Sequence, residues 1–213
     1  DGRRETLFSV QTKDEVGEGL FLCLDTRGRR LWSFQAGREL RFGGQVFSAD
    51  YRIAGFDLND INGDGKPEIQ FFATHNPDWP CQFVVLGADG RLLGEFWNSG
   101  YLGDFAVADL NGDGRPEIVL CGVNNEHGEG IVAVFDASNV QGASPQLTTR
   151  YRCEMLPPGT EKFYLRLPRT DADIDLHPIE AASMVFINHA RELSFQTSLS
   201  GLFFEFDFGL GLL

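Results

Sequence analysis

The sequence predicts an all-β protein built from an array of short, four-stranded antiparallel units. Three observations point there. The chain carries 25 glycines and 19 phenylalanines in 213 residues, the glycine well above the usual share of about 7%. Its apolar residues fall in short runs separated by glycine-rich turns, which suits strands better than a helix bundle. A ten-residue segment is also written twice, 49 residues apart.

The repeat is Asp60-Ile-Asn-Gly-Asp-Gly-Lys-Pro-Glu-Ile69, which returns as Asp109-Leu-Asn-Gly-Asp-Gly-Arg-Pro-Glu-Ile118 with eight of ten positions identical. Similarity extends downstream, to Gln82–Leu86 in the first copy and Gly130–Asp136 in the second. Asp1-Gly-Arg-Arg-Glu-Thr-Leu-Phe8 aligns with Asp64–Phe71, so the chain is expected to begin within a third copy, with more of the protein upstream.

Strands are expected near 5–11, 19–25 and 29–35. A second unit spans 51–58, 68–74, 81–87 and 91–97, and a third 104–109, 117–122, 130–136 and 147–154. Four further strands are expected at 162–167, 183–188, 192–197 and 202–208. In the last, Phe204, Phe206 and Phe208 alternate with Glu205 and Asp207. Four short strands per unit with glycine turns describe the blade of a β-propeller. One repeat domain, 1–213, is expected: a partial blade (1–45), two blades with the repeated loop (46–98 and 99–158) and a degenerate or capping blade (159–213). That is about three and a half to four blades, arranged as an incomplete ring, a small propeller or an open array. Trp32 and Trp97, at the ends of apolar strands, are expected to pack between blades.

The loop places oxygen side chains at positions 1, 3, 5 and 9: Asp60, Asn62, Asp64 and Glu68, then Asp109, Asn111, Asp113 and Glu117. Position 7 is Lys66 or Arg115, which can offer only a backbone carbonyl. Ca²⁺ is a hard cation that takes about six to eight oxygens, and alternate residues of a curled loop can aim at one point. Two calcium sites are therefore expected. Gly65 and Gly114 relieve the backbone, and Pro67 and Pro116 fix φ before the next strand. An EF-hand is excluded, because its glutamate stands at position 12, here Phe71 and Leu120. The truncated N-terminal copy keeps only Asp1 and Glu5 and is not expected to hold a metal.

A formal charge of −13 argues against nucleic acid and anionic membrane surfaces as partners. No apolar run approaches 18 residues, so no helical membrane span is expected. Cys23, Cys81, Cys121 and Cys153 lack metal or redox spacing; Cys23 and Cys121 sit inside apolar strand-like runs, where buried thiols are the simple expectation, with one disulfide left open. His75, His127, His177 and His189 are scattered. His75 and His127 fall in equivalent loops, expected at the sheet end opposite the repeated loop, where His75, Asn76, Trp79, Asn124 and Asn125 are candidates to line a ligand surface, the alternative being that Trp79 simply caps a blade. No nucleophile motif or P-loop is present in the sequence.

Phe56-Asp-Leu-Asn-Asp-Ile-Asn-Gly-Asp-Gly-Lys-Pro-Glu-Ile69 and Phe105-Ala-Val-Ala-Asp-Leu-Asn-Gly-Asp-Gly-Arg-Pro-Glu-Ile118 resemble the FG-GAP/VCBS repeat family, the calcium-loop blades of integrin-α-type propellers. The likeness covers residues 1–136 well and the rest poorly. It implies a metal in the hairpin between the first two strands of a blade, an extracytoplasmic setting and a binding or adhesion role; the expectation taken with it is structural calcium, a protein or glycan ligand and no enzyme activity of its own. Its alternatives are the substrate-binding part of a carbohydrate-active enzyme and the sensor domain of a membrane receptor.

Overall fold

Residues 4–10, 19–75, 79–167, 182–187, 192–197 and 203–207 are described by the computed structural model. Among them the regular structure is all β, apart from one 3-10 turn at Thr149–Tyr151. Strands β1 (Thr6–Ser9), β2 (Leu20–Leu24) and β3 (Arg30–Gln35) form a three-stranded sheet in that order. A hairpin of β4 (Leu40–Phe42) and β5 (Gln45–Phe47) follows. Its turn is Gly43-Gly44, with φ of 54° and 81°, a conformation that only glycine adopts freely. The sequence expectation did not include this hairpin.

The second sheet comprises β6 (Tyr51–Asn59), β7 (Glu68–His75), β8 (Cys81–Leu86) and β9 (Leu92–Asn98) in chain order. The third comprises β10 (Leu102–Ala108), β11 (Glu117–Asn124), β12 (Glu129–Asp136) and β13 (Phe163–Leu167). A further three-stranded sheet holds β14 (Ala182–Ile187), β15 (Glu192–Thr197) and β16 (Phe203–Asp207). All pairings between these strands are antiparallel.

Two expectations about strands are corrected. The third sheet does not draw its fourth strand from 147–154, and 163–167 does not belong to the last unit. Instead residues 137–162 form a long excursion after β12. Phe163 then returns to pair with Val134. The physical reason is that the excursion has other partners. Ala143 bridges Trp97, and Cys153 bridges Phe42 of the hairpin. The carboxylate of Glu126 accepts the N–H groups of Leu147 (2.9 Å) and Thr148 (2.6 Å). The last sheet accordingly has three described strands rather than four. Phe208 and the side chains of Phe204 and Phe206 lie outside the described residues, as do Asp171–Asp175.

The packing explains why the inner strands read as unbroken apolar runs. β8 and β11 are buried along their whole length, and β7 and β12 nearly so. Successive residues point to opposite faces, and here both faces are covered. On one side of the second sheet, Ile69, Phe71, Ala73, Val84 and Leu86 meet Phe21, Leu40, Phe42 and Phe47. On its other side, Phe72, Phe83, Val85 and Phe96 meet Ile118, Leu120, Ile131 and Phe135 of the third sheet. The far face of the third sheet sets Val119, Cys121, Val132 and Val134 against Val185, Leu193 and Phe195. Neighbouring phenylalanines Phe71 and Phe72 therefore serve different interfaces. Phe71 stacks on Phe21 at 5.2 Å, and Phe96 meets Phe135 edge-on at 4.8 Å.

Polar contacts stitch the first interface. Arg38 grips Glu95 with two hydrogen bonds (2.7 and 2.6 Å) and lies over the Trp97 ring. Gln82 donates to the same carboxylate at 2.8 Å, and its carbonyl accepts the Gly37 N–H. Trp32 packs on the Gly90 turn of the second sheet and donates its indole N–H to the Ala88 carbonyl at 3.1 Å. Trp97 is fully buried, so both tryptophans pack between sheets as expected.

Gly90 has φ of +79°, and a Cβ there would stand 2.5 Å from the Trp32 ring. Gly90→Ala is expected to cost about 1–3 kcal/mol of stability by strain and clash, read as a lower urea midpoint. An unchanged midpoint would show that Trp32 does not seat on this turn.

Candidate metal centre

Each repeated loop links the first strand of a four-stranded sheet to the second. Residues 60–67 join β6 to β7 and 109–116 join β10 to β11. The position-9 acids open β7 and β11, where Glu68 pairs with Asn59 and Glu117 with Ala108.

The two loops are built on the same pattern of turns. Asp60 accepts the N–H groups of Gly63 (2.8 Å), Asp64 (3.2 Å) and Gly65 (2.8 Å). Asp109 accepts those of Gly112 (2.7 Å) and Gly114 (3.1 Å). The position-3 carbonyls of Asn62 and Asn111 accept from Asp64 and Asp113, each at 2.8 Å. Asp64 and Asp113 accept from the N–H groups of Lys66 and Arg115, again at 2.8 Å. These are Asx turns, one nested in the next, and they curl the chain around its own oxygen side chains.

The position-9 glutamates close the curl. Glu68 Oε2 accepts the Ile61 N–H and Glu117 Oε2 the Leu110 N–H, both at 3.0 Å. Their Oε1 atoms accept from the side-chain amides of Asn62 (2.8 Å) and Asn111 (3.1 Å). Glu68 and Glu117 are buried at the strand ends. Burial, followed by the charges of Asp64 and Asp60, raises the Glu68 carboxyl above its usual range. A folded-state value above the unfolded one means that ionised Glu68 opposes folding. Its contribution improves as pH falls toward the ordinary carboxylate range.

Two features were missed at the sequence level. Gly63 and Gly112 also take positive φ, 75° and 80°, beside the 81° and 85° of Gly65 and Gly114. Both glycines of N-G-D-G are therefore needed by the curl. The apolar position 2 also matters: Ile61 and Leu110 are buried, Ile61 in the core between the second and third sheets and Leu110 in the core beyond the third. The Asn-Gly-Asp-Gly spacing and the apolar pair Ile/Leu were the available signals.

The donor set suits a hard divalent cation. Every candidate group is an oxygen: Asp60, Asn62, Asp64, Glu68 and the Lys66 carbonyl, and Asp109, Asn111, Asp113, Glu117 and the Arg115 carbonyl. Lys66 and Arg115 are exposed. A carboxylate offers about four lone-pair sites, so the Asx-turn bonds leave acceptor capacity over. In the arrangement described, the oxygens face their own loop N–H groups. No group of three or more His, Cys, Asp or Glu side chains converges as a metal cage among the described residues.

The remaining sequence candidates fall elsewhere. His75 and Trp79 do sit at the sheet end opposite the loops, where they join an aromatic cluster with Phe47, Tyr51 and Tyr151. Asn124 is buried and bonds the Tyr164 hydroxyl and the Glu126 N–H, while the Asn125 N–H donates to Ser99. His127 lies 3.5 Å from Glu126. Asn124 and Asn125 thus serve internal bonding in the third sheet, apart from the Trp79 cluster. Asn76, His177, His189 and Asp1 lie outside the described residues, and Glu5 accepts from the Cys23 thiol. All four cysteines are free and buried. Burial pushes Cys23 up to about 11 and Cys81 to about 12, which keeps both as thiols.

No family model matches the chain, and no curated protein matches it. Among solved structures, the exotype rhamnogalacturonan lyase YesX is similar over 87% of this chain and 40% of its own, at 13% identity and a TM-score of 0.47. The V. cholerae biofilm matrix protein Bap1 is similar over 72% of this chain and 27% of its own, at 16% identity and a TM-score of 0.30. This chain spans less than half the length of either.

The space around Gly65 is open, so its substitution isolates the backbone term. Gly65→Ala is expected to cost about 1–2 kcal/mol in urea unfolding, and Gly65→Asn distinctly less. Equal stability of glycine and alanine there would show that the curl does not depend on the left-handed conformation.

Proposed function

We propose that this chain is a calcium-stabilised module of the FG-GAP/VCBS type, which binds a protein or glycan outside the cytoplasm and is not itself an enzyme. The observation that carries the proposal is the duplicated loop. Two segments 49 residues apart adopt the same nested turns, with the same oxygen residues on the inside of the curl. A plain turn needs no glutamate nine residues in, buried at a strand end. In this proposal the stacked four-stranded sheets are blades of a β-propeller-type array, and each loop is the hairpin between a blade's first two strands.

Calcium would supply two positive charges against three carboxylates per loop. The chain's own residues do the rest. Asp60 and Asp109 hold the turn, Asn62 and Asn111 fix the glutamate, and Ile61 and Leu110 anchor the loop in the inter-sheet cores. The role is structural, and binding to the folded chain alone adds stability in proportion to occupancy. Weak sites of this kind match the millimolar calcium found outside cells. The patterned acids are thereby used in the fold, which leaves none of them for acid–base catalysis.

Chelation tests this. At calcium about 100-fold above Kd, each site is worth about 2.7 kcal/mol, and EGTA is expected to lower Tm by about 5–10 °C per occupied site. Asp60→Ala and Asp109→Ala should each remove part of that shift. A melt indifferent to calcium, to EGTA and to both substitutions would contradict the proposal.

A further inference from the structure

The two loops match in sequence and backbone, but their surroundings differ at one position. The strand beyond the position-9 acid brings a different residue to each. In the third sheet Val134 pairs with Phe163, and the residue before it is Lys162. In the second sheet the equivalent Val85 pairs with Gly94, and the residue before it, Leu93, stands in a bulge between the Val85 and Leu86 pairs, on the side of Glu68. Lys162 Nζ lies 3.3 Å from Glu117 Oε1 and is held from its other side by Asp136, at 2.7 Å. Glu117 Oε1 thus accepts from both Asn111 and Lys162. Glu68 has no such neighbour among the described residues. With Asn62 and Leu93 it borders a cavity of about 240 Å³ at the junction of the second and third sheets.

We propose that Lys162 is a tethered counter-cation that competes with metal at Glu117, so that the loops fill in order, residues 60–68 first and 109–117 second. The inference rests on calcium being the ligand of both loops. Its physical basis is direct. A metal that draws on Glu117 must share that oxygen with an ammonium group that Asp136 tethers nearby, or displace that group. The repulsion between a divalent ion and a lysine a few ångströms away, at the loop's solvent-screened edge, corresponds to roughly a tenfold loss of affinity. The first loop meets a cavity there whose other lining residues, Leu93, Ser138 and Val140 among them, carry no positive charge. The second sheet's junction would depend on calcium, while the third sheet's junction keeps a cation of its own when calcium is scarce.

Isothermal titration of the full chain with Ca²⁺ tests this. Wild type is expected to bind in two steps about tenfold apart, with Asp60→Ala deleting the tighter and Asp109→Ala the weaker. Lys162→Met keeps the apolar stem and should tighten the weaker step about tenfold while leaving the tighter one alone. Leu93→Lys should weaken the tighter step by a similar factor. If Lys162→Met lowers stability, Leu93→Lys still decides, because it adds the charge at the other loop. Two equal steps, or steps indifferent to both substitutions, would overturn the inference and leave calcium binding standing. No heat of binding in any variant would overturn calcium itself, and the inference with it.

Discussion

Burial on both faces is the constraint from which the rest of this structure follows. β7, β8, β11 and β12 have no solvent side, so neither four-stranded sheet could exist alone in water. The second needs one neighbour against Phe71 and Val84 and another against Phe72, Phe83 and Phe96, and the third needs one against Ile118 and Phe135 and another against Val119 and Val134. Removing one such phenylalanine from water contributes about 1.5–3 kcal/mol, and the interfaces contain many. The array is therefore held by contacts between successive sheets, as repeat architectures are. The excursion 137–162 and the hairpin β4–β5 cover what the sheets alone would leave open.

That constraint also explains where the polar chemistry sits. With the sheet faces taken up by apolar contacts, the oxygen-rich segments are confined to the turns at the sheet ends. The loops at 60–68 and 109–117 satisfy their own N–H groups with their own side chains, so they can stand at the edge of an apolar interface without orphaned donors. Ile61 and Leu110 then tie each loop to the core beneath it. A loop so arranged concentrates negative charge next to a dry interface, and burial already lifts the Glu68 carboxyl. Neutralising that charge would act on the sheet junction directly, because the position-2 residue of each loop is seated in it.

Much of this was legible in the sequence. The strands of the second sheet lie within two residues of the expected bounds, because β8 and the centre of β7 are compact apolar runs and the repeated loop and the Ala88-Asp-Gly90 turn mark where strands stop. The curl at Asp60 and Asp109 was legible because residue type and spacing act locally there. What was not legible was decided by contacts across distance. The stretch 147–154 has strand composition, yet Cys153 bridges Phe42 and Tyr151 meets Trp79, so the segment serves another sheet's edge. Lys162–Leu167 looked like the start of a new unit, and only the register of Phe163 on Val134 shows that it closes the old one. The Gly43-Gly44 turn was visible and unused. The role of Lys162 beside Glu117 could not be read at all, since 45 residues separate them.

The central claim is that a twice-written ring of oxygens holds a divalent ion at two sheet junctions. A crystal structure of the chain grown in calcium tests it most directly, with anomalous data collected to identify the ion. The account predicts a calcium peak enclosed by Asp60, Asn62, Asp64 and Glu68. At higher calcium, a second should appear enclosed by Asp109, Asn111, Asp113 and Glu117. Clear density for both loops with no ion in either, at saturating calcium, would contradict it.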